Sequence, residues 1–159
     1  MKMNAEMLNS LRAIGQGGVV VHLTTCSSKG VPNTVGERFF SAFGDEHLVI
    51  ADMFAQKTKV NLNENPFGVI TVAHPVKGRY WSFRGPCMII MWGEDENFDF
   101  HGAKAGDVLR EWGDWASKDP PSEVPPDIRP PAVCQRGVIT LKVDEAYSWK
   151  PDISGEQLL

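Results

Sequence analysis

Six strand-like stretches, each bounded by glycine, proline or polar turn residues, constrain the fold of this chain most strongly. They read "VVVHLTTC", "PNTVGERFFSAF", "EHLVIADM", "FGVITVAH", "RYWSFRGPCMIIMWG" and "GVITLKVDEAYSW". Such stretches predict β-strands, and the tight turns between most of them favour antiparallel pairing, because parallel strands need long crossover connections. No regular alternation of strand and helix is present, which argues against a parallel sheet. We therefore predict a mainly β chain that forms a closed or nearly closed antiparallel barrel of six strands.

Two helical segments and one proline-rich segment accompany these strands. The N-terminal segment predicts an amphipathic helix that serves as a lid or plug, with Met3, Met7, Leu8, Leu11 and Ile14 at helical spacing. A second helix, between the fifth and sixth strands, should pack its apolar stripe on the barrel; the stripe contains Val108, Leu109, Trp112 and Trp115. The segment 119–131 contains six prolines and predicts an extended arm that wraps another surface. Gly85 and Pro86 interrupt the fifth strand and predict a bulge or a kink at a barrel edge.

The composition bounds the class of protein. A chain of 159 residues is expected to form one domain spanning 1–159, and its net charge of −4 gives no general attraction for nucleic acid or anionic lipid. No apolar run approaches the ~18 residues that a membrane span needs, and the N-terminus lacks a signal-peptide core, so we expect a cytoplasmic protein. Cys26, Cys87 and Cys134 show no paired spacing and are expected to be buried, inert thiols. The four histidines are scattered, and no metal site is predicted.

Several catalytic motifs are absent from the sequence. It lacks a P-loop, a G-x-G-x-x-G turn after a strand, an H-E-x-x-H helix and a G-x-S-x-G elbow. The sequence therefore lacks the usual signatures of nucleotide hydrolysis, Rossmann dinucleotide binding, zincin chemistry and α/β-hydrolase chemistry. No residue is assigned a catalytic role from the sequence.

The segment "FAQKTKVN" carries a candidate anion site. A helix is expected to begin near Lys57, where backbone N–H groups are unpaired and carry partial positive charge. The Lys57 ammonium and the Thr58 hydroxyl lie beside these groups, so a phosphate would be satisfied by all three kinds of donor. The alternative is that Lys57 and Lys59 are simply solvated and that Thr58 is an ordinary helix cap.

The segment "GVPNTVGERFF" carries a second, weaker signal. With the period of two that a strand imposes, Asn33, Val35, Glu37 and Phe39 share one face, and Thr34, Gly36, Arg38 and Phe40 share the other. A glycine inside a strand leaves room for close approach to the backbone.

These stretches together resemble the FMN-binding split-barrel family related to pyridoxamine 5′-phosphate oxidase, especially its small bacterial FMN-binding proteins. The resemblance covers roughly residues 16–93 and the last strand, and its most specific element is the pairing of "PNTV" with a downstream "KTKVNLNENP". It implies a split barrel with Greek-key connections and a homodimer that holds the flavin in a groove at its interface.

The resemblance also implies roles for particular residues. Lys57 and Thr58 would hold the FMN phosphate, with Gln56 and Asn61 nearby. The ribityl chain or the ring would meet Asn33, Thr34 and Val35, and main-chain groups of Ala51, Asp52 and Met53 would line the pocket. Arg38 and Arg84 are candidates for a cation near the flavin N1–C2 edge, and Trp149 or Trp92 could cover the ring from the second subunit.

The function implied is that of an FMN-dependent oxidoreductase or electron carrier with a small-molecule or protein redox partner. One alternative keeps the barrel as a non-catalytic binding module for another flat or phosphate-bearing ligand, such as a deazaflavin or haem. A second alternative, an oligonucleotide-binding barrel, is disfavoured by the negative net charge and by the lack of basic residues interleaved with aromatic ones.

Overall fold

A computed structural model describes residues 1–16, 20–37, 40–52, 56–74, 79–91, 93, 96–116, 137–150 and 153–158. Its helices are α1 (Ala5–Gln16), α2 (Gln56–Glu64) and α3 (Ala105–Ala116). Its strands in the first half of the chain are β1 (Val21–Cys26), β2 (Pro32–Glu37), β3 (Phe40–Phe43), β4 (His47–Ala51) and β5 (Phe67–His74). The later strands are β6 (Arg79–Ile90), β7 (Asp99–Phe100), β8 (Ala103–Lys104), β9 (Val138–Lys142), β10 (Glu145–Lys150) and β11 (Ile153–Leu158). The predicted arm at 119–131 lies outside the described residues.

The strands form one antiparallel path in the order β2-β1-β5-β6-β9-β4-β3. Strand β10 pairs with β6 and β11 pairs with β10, while β7 and β8 form a separate ribbon. The two ends of the path, β2 and β3, are consecutive in the chain and are separated by residues 38–39 only. The chain itself therefore joins the ends of the sheet, although no hydrogen bonds between described strands close the barrel. The prediction of a mainly β, antiparallel split barrel with short helices is confirmed.

Two of the six predicted strands are each divided in two. The stretch from Pro32 to Phe43 forms β2 and β3, and the last stretch forms β9 and β10. At the second division Val143 N–H donates to the Glu46 carbonyl and Asp144 N–H donates to the Arg84 carbonyl. The chain thereby leaves its pairing with β4, whereas both β9 and β10 pair with β6. The alternation of apolar and polar residues continues through this point, so it does not reveal the change of partner. That change depends on residues far away in the sequence.

Strand β6 changes partners at the Gly85–Pro86 interruption that the sequence singled out. Residues 79–86 pair with β5 on one edge; on the other edge, residues 80–84 pair with β10 and residues 87–90 pair with β9. A β-carbon on Gly85 would overlap the carbonyl oxygen of Lys142. The glycine is thus required by the close approach of another strand, as expected for a glycine inside a strand.

Two apolar clusters hold the elements together. The larger one fills the barrel interior, and the N-terminal segment covers it with Met3, which precedes α1, and with Met7 and Leu11 of α1, as the lid or plug prediction expected. The smaller one lies between α3 and strands β4, β6 and β9, with Val108, Leu109 and Trp112 buried. The predicted packing of the α3 stripe is confirmed for these three residues. None of the helices in the described part of the chain has both the length and the apolar character that crossing a membrane requires.

Candidate functional site

Strand β2 lies at one end of the sheet, and its outer edge is paired with no other described strand. Its side chains alternate as the sequence predicted. Thr34 and Gly36 are exposed on the outer face, whereas Asn33 and Val35 are half-buried on the face toward the barrel interior. Val35 packs against the interior cluster, and the Thr34 hydroxyl lies 2.9 Å from that of Thr24 on β1. A ligand that lies along the edge of β2 could meet both faces and the unpaired main-chain groups.

Helix α2 begins beside β2. Gln56 and Lys57 are exposed, and the N–H groups of its first turn have no partner within the helix. The Thr58 side chain is fully buried, and its hydroxyl accepts a hydrogen bond of 3.2 Å from the Asn33 side-chain amide. This hydrogen bond joins the start of α2 to β2. The sequence expected the Thr58 hydroxyl to be a donor that helps to hold the phosphate, and this role stays a prediction; the structure adds that its oxygen accepts the Asn33 bond.

The second lysine of the segment has a protein partner that sequence reasoning missed. The Lys59 ammonium lies 2.9 Å from a carboxylate oxygen of Asp52, whose side chain is only 3% exposed. The two residues are separated by seven positions across a change from strand to helix, so no periodic pattern links them. Of the two lysines, therefore, only Lys57 forms no ion pair within the described residues, and it carries the free positive charge at this helix terminus.

The residues before α2 are engaged by the sheet. Ala51 is fully buried on β4 opposite Val138, and the Asp52 N–H donates to the Gly137 carbonyl over 3.2 Å. The sequence expected their main-chain groups to line the pocket; the Asp52 N–H is directed toward β9, and the rest of this expectation stays a prediction. Met53, the third member of that set, lies outside the described residues.

Asn61 lies one turn further along α2 and is fully buried. Its side-chain nitrogen donates to the Thr25 hydroxyl of β1 over 3.2 Å, and its side-chain oxygen has no partner among the described residues. The C-terminal end of the helix is also tied to the β1–β2 hairpin, because Glu64 accepts bonds from the Ser28 N–H and hydroxyl. These bonds, with a smaller contribution from nearby Lys57, lower the pKa of Glu64.

The remaining predicted site residues lie elsewhere. Arg84 is exposed on β6, three strands from β2, which corresponds to about 14 Å across the sheet. Its guanidinium lies 4.0 Å from Glu145 and stacks over the Tyr147 ring at 4.7 Å. Arg84 does share a register row with Thr34, through Val69 and Thr24. The backbone of Trp149 pairs with Tyr80, while Arg38, Trp92 and the Trp149 side chain lie outside the described part of the chain.

The corner where α2 meets β2 offers a specific set of donors. An exposed ammonium and the N–H groups of a helix start, which have no partner within the helix, suit an anion such as a phosphate. The unpaired edge of β2 offers alternating N–H and C=O groups, which suit the polar rim of a flat heterocycle. Such donors could hold a phosphate beside Lys57 and the polar rim of a flat ring along β2.

Comparison with known sequences gives one relative and no family model. No protein-family model matches the chain. An uncharacterized protein of Methanocaldococcus jannaschii is 26% identical over 151 residues, a match that covers 94% of this chain and 82% of the relative.

Comparison with solved structures defines the fold class. HupZ from Group A Streptococcus has a TM-score of 0.66 at 15% identity, with 99% of both chains covered. A pyridoxamine 5′-phosphate oxidase-related, FMN-binding protein from Nostoc punctiforme has a TM-score of 0.60 at 14% identity, covering 98% of this chain and 94% of that one. A structure named F420 reductase has a TM-score of 0.51 at 22% identity, covering 85% and 94%. The chain thus has the fold of the pyridoxamine 5′-phosphate oxidase-related FMN-binding proteins, and the resemblance noted in the sequence is confirmed for the fold.

Proposed function

We propose that this protein binds FMN at the corner formed by the start of α2 and the open edge of β2, and that it serves as a flavin-dependent oxidoreductase or electron carrier. The observation that carries the proposal is the Asn33–Thr58 hydrogen bond, 3.2 Å long, which holds the start of α2 beside β2, the strand whose outer edge is paired with no other described strand. One ligand with a phosphate and a flat polar ring can satisfy both features. The fold shared with an FMN-binding protein supports the same ligand.

Each residue has a defined task in this proposal. Lys57 and the N–H groups of the first turn of α2 hold the phosphate, whose charge is about −1.5 to −2 at neutral pH. Gln56 borders the phosphate as an exposed polar side chain, and Asn33 positions Thr58 and the start of the helix. Thr34 and the main-chain groups of β2 border the ring or the ribityl chain. FMN supplies hydride or electron transfer, while these residues bind and orient it.

We further propose that the functional unit is a homodimer. A ligand site normally covers 70–90% or more of its ligand, and the single exposed edge of β2 leaves one side of a flat ring open to water. A second copy of the chain would cover that side, as the resemblance to split-barrel flavoproteins implies. Sedimentation equilibrium at micromolar concentration should give twice the mass of the 17.6 kDa chain, and a monomer with full FMN affinity would contradict this arrangement.

The decisive experiment compares FMN with riboflavin, which lacks the phosphate. Quenching of flavin fluorescence should give a wild-type affinity for FMN at least about tenfold above that for riboflavin, equivalent to about 1.4 kcal/mol. Lys57→Glu should remove this preference and leave riboflavin binding unchanged. Lys104→Glu, an equal change of charge at an exposed position on β8, is the matched control. Equal affinity of wild-type protein for both flavins would refute the phosphate site.

A second candidate ligand is a deazaflavin, which is favoured by the fold likeness to the structure named F420 reductase. A deazaflavin would place the same kind of flat ring along β2. The absorbance spectrum and mass of the ligand extracted from purified protein distinguish it from FMN and from haem.

A further inference from the structure

The face of α2 that packs against the sheet is polar. Thr58 and Asn61 are three residues apart on α2, and Asn65 directly follows the helix and donates its N–H to the Asn61 carbonyl, so the three side chains lie on one side. Thr58 and Asn61 are fully buried, and Leu62 is the buried apolar residue of this helix. A helix on a globular protein normally buries an apolar stripe instead, as α3 does with Val108, Leu109 and Trp112.

Every turn of this polar face is bonded to the β1–β2 hairpin. Thr58 accepts from Asn33, Asn61 donates to Thr25 over 3.2 Å, and Asn65 donates to the Cys26 carbonyl over 3.3 Å. Hydrogen bonds are directional and weaken steeply with distance and angle, whereas apolar contacts are non-directional. The helix is therefore fixed along its axis and about it, relative to β1 and β2.

The hydrogen bond between Thr25 and Asn61 stabilises the fold less than a pair of apolar side chains of the same shape would. Both side chains are buried, and the Asn61 side-chain oxygen has no hydrogen-bond partner within the described residues. An unsatisfied buried acceptor is destabilising, while replacing both partners by apolar groups of the same shape is nearly neutral or stabilising. Thr25→Val with Asn61→Leu would thus keep the two side chains in contact without a buried unsatisfied acceptor. The apolar contact would not fix the direction in which the two side chains meet.

We infer that Thr25 and Asn61 are positioning residues that set where the N-terminus of α2 stands relative to the edge of β2. The inference rests on the proposed function, in which the phosphate binds at that terminus and the ring binds along that edge. Neither residue contacts the ligand. Together they fix the separation of the two subsites, so they control the affinity for the phosphate and not the affinity for the ring.

The test uses the double variant Thr25→Val/Asn61→Leu, which keeps the size of both side chains. Its urea midpoint should equal or exceed that of the wild-type protein. Its affinity for FMN should fall about tenfold, which corresponds to about 1.4 kcal/mol, and its affinity for riboflavin should not change. Thr25→Ser keeps the hydroxyl and should retain wild-type FMN affinity. Val60→Ala, on the exposed face of α2 where the side chain is 48% exposed, is the matched control and should retain both affinities.

The outcomes separate this inference from the function on which it rests. A wild-type protein that prefers FMN, together with a stable double variant that binds FMN equally well, overturns the inference alone. An equal loss of affinity for both flavins, or a lower urea midpoint, overturns it as well, because that result indicates a structural role. A wild-type protein that binds neither flavin overturns the proposed function and the inference with it.

Discussion

The Lys59 ammonium lies 2.9 Å from a buried carboxylate oxygen of Asp52, and this ion pair explains why a lysine is stable near the start of α2. A cation at a helix N-terminus is unfavourably placed with respect to the helix dipole. Asp52 offsets the charge of Lys59, so that Lys57 is the lysine of this pair with no ion pair among the described residues.

Asp52→Asn should therefore lower the free energy of unfolding by about 1 to 3 kcal/mol, because Lys59 loses a charged hydrogen-bond partner that is shielded from water. It should not weaken FMN binding, since it removes a negative charge near the phosphate. Urea unfolding and flavin titration measure the two effects. Asp45→Asn is the matched control, because Asp45 pairs with Lys2 at 3.6 Å on the surface and such pairs contribute about 0 to 1 kcal/mol. Weaker FMN binding by Asp52→Asn would contradict this assignment of charges.

Gly85→Ala should be among the most destabilising single changes in the chain. Its new methyl group would overlap the Lys142 carbonyl oxygen, a backbone atom that cannot turn aside. We expect a loss of about 3 kcal/mol or more in urea unfolding, or a failure to fold. At Gly36 the methyl group would meet a side-chain atom of Val20 at 2.9 Å, and that side chain can rotate. Gly36→Ala should therefore cost much less, and equal losses at the two positions would count against this account of the close approach.

His47 should make stability depend on pH. Burial lowers the pKa of His47, and the hydrogen bond to the Phe100 carbonyl, 3.1 Å away, opposes this effect only in part. The unfolded chain, with a histidine pKa of about 6.5, therefore binds the proton more readily than the folded one. Stability should be full above about pH 6.5 and should fall as the pH decreases below that value.

The variant His47→Gln should be less stable than wild type at neutral pH but should lose this dependence. Urea midpoints measured between about pH 5 and pH 8 test the prediction, because histidine is the side chain that ordinarily titrates in that range. His22→Gln, at an exposed position on β1, is the control and should keep the wild-type slope. If the urea midpoint of His47→Gln depended on pH as steeply as that of wild type, the pH dependence would come from another group.

Cys87 should be unreactive in the folded protein. Burial raises the pKa of Cys87 to about 12, so almost no thiolate is present at neutral pH. In a variant with Cys26 and Cys134 both changed to serine, a disulfide reagent should label Cys87 only when urea unfolds the chain. The companion variant that keeps Cys26 in place of Cys87 should react faster, because Cys26 is half-buried. Rapid labelling of Cys87 in the folded state would show that its surroundings open readily.

The candidate site shows how far the sequence could lead. The period of two in β2 correctly placed Thr34 and Gly36 on one face and Asn33 and Val35 on the other. The residue pattern of 56–64 correctly indicated a short helix. The sequence also singled out Lys57, which is exposed at the start of that helix. It could not assign the second lysine to Asp52 or turn the Thr58 hydroxyl toward Asn33, since both contacts depend on how α2 docks.

What the sequence determined by itself was local: which stretches extend, which faces of each strand and helix are apolar, and where glycine breaks a strand. These properties follow from backbone geometry and side-chain periodicity within a few residues. The tertiary structure alone decided that one strand-like stretch divides into β9 and β10, and that Thr25 meets Asn61 across 36 positions of the chain. Contacts of that kind depend on the complete arrangement of the barrel, because hydrogen bonding and packing join groups that no local pattern relates.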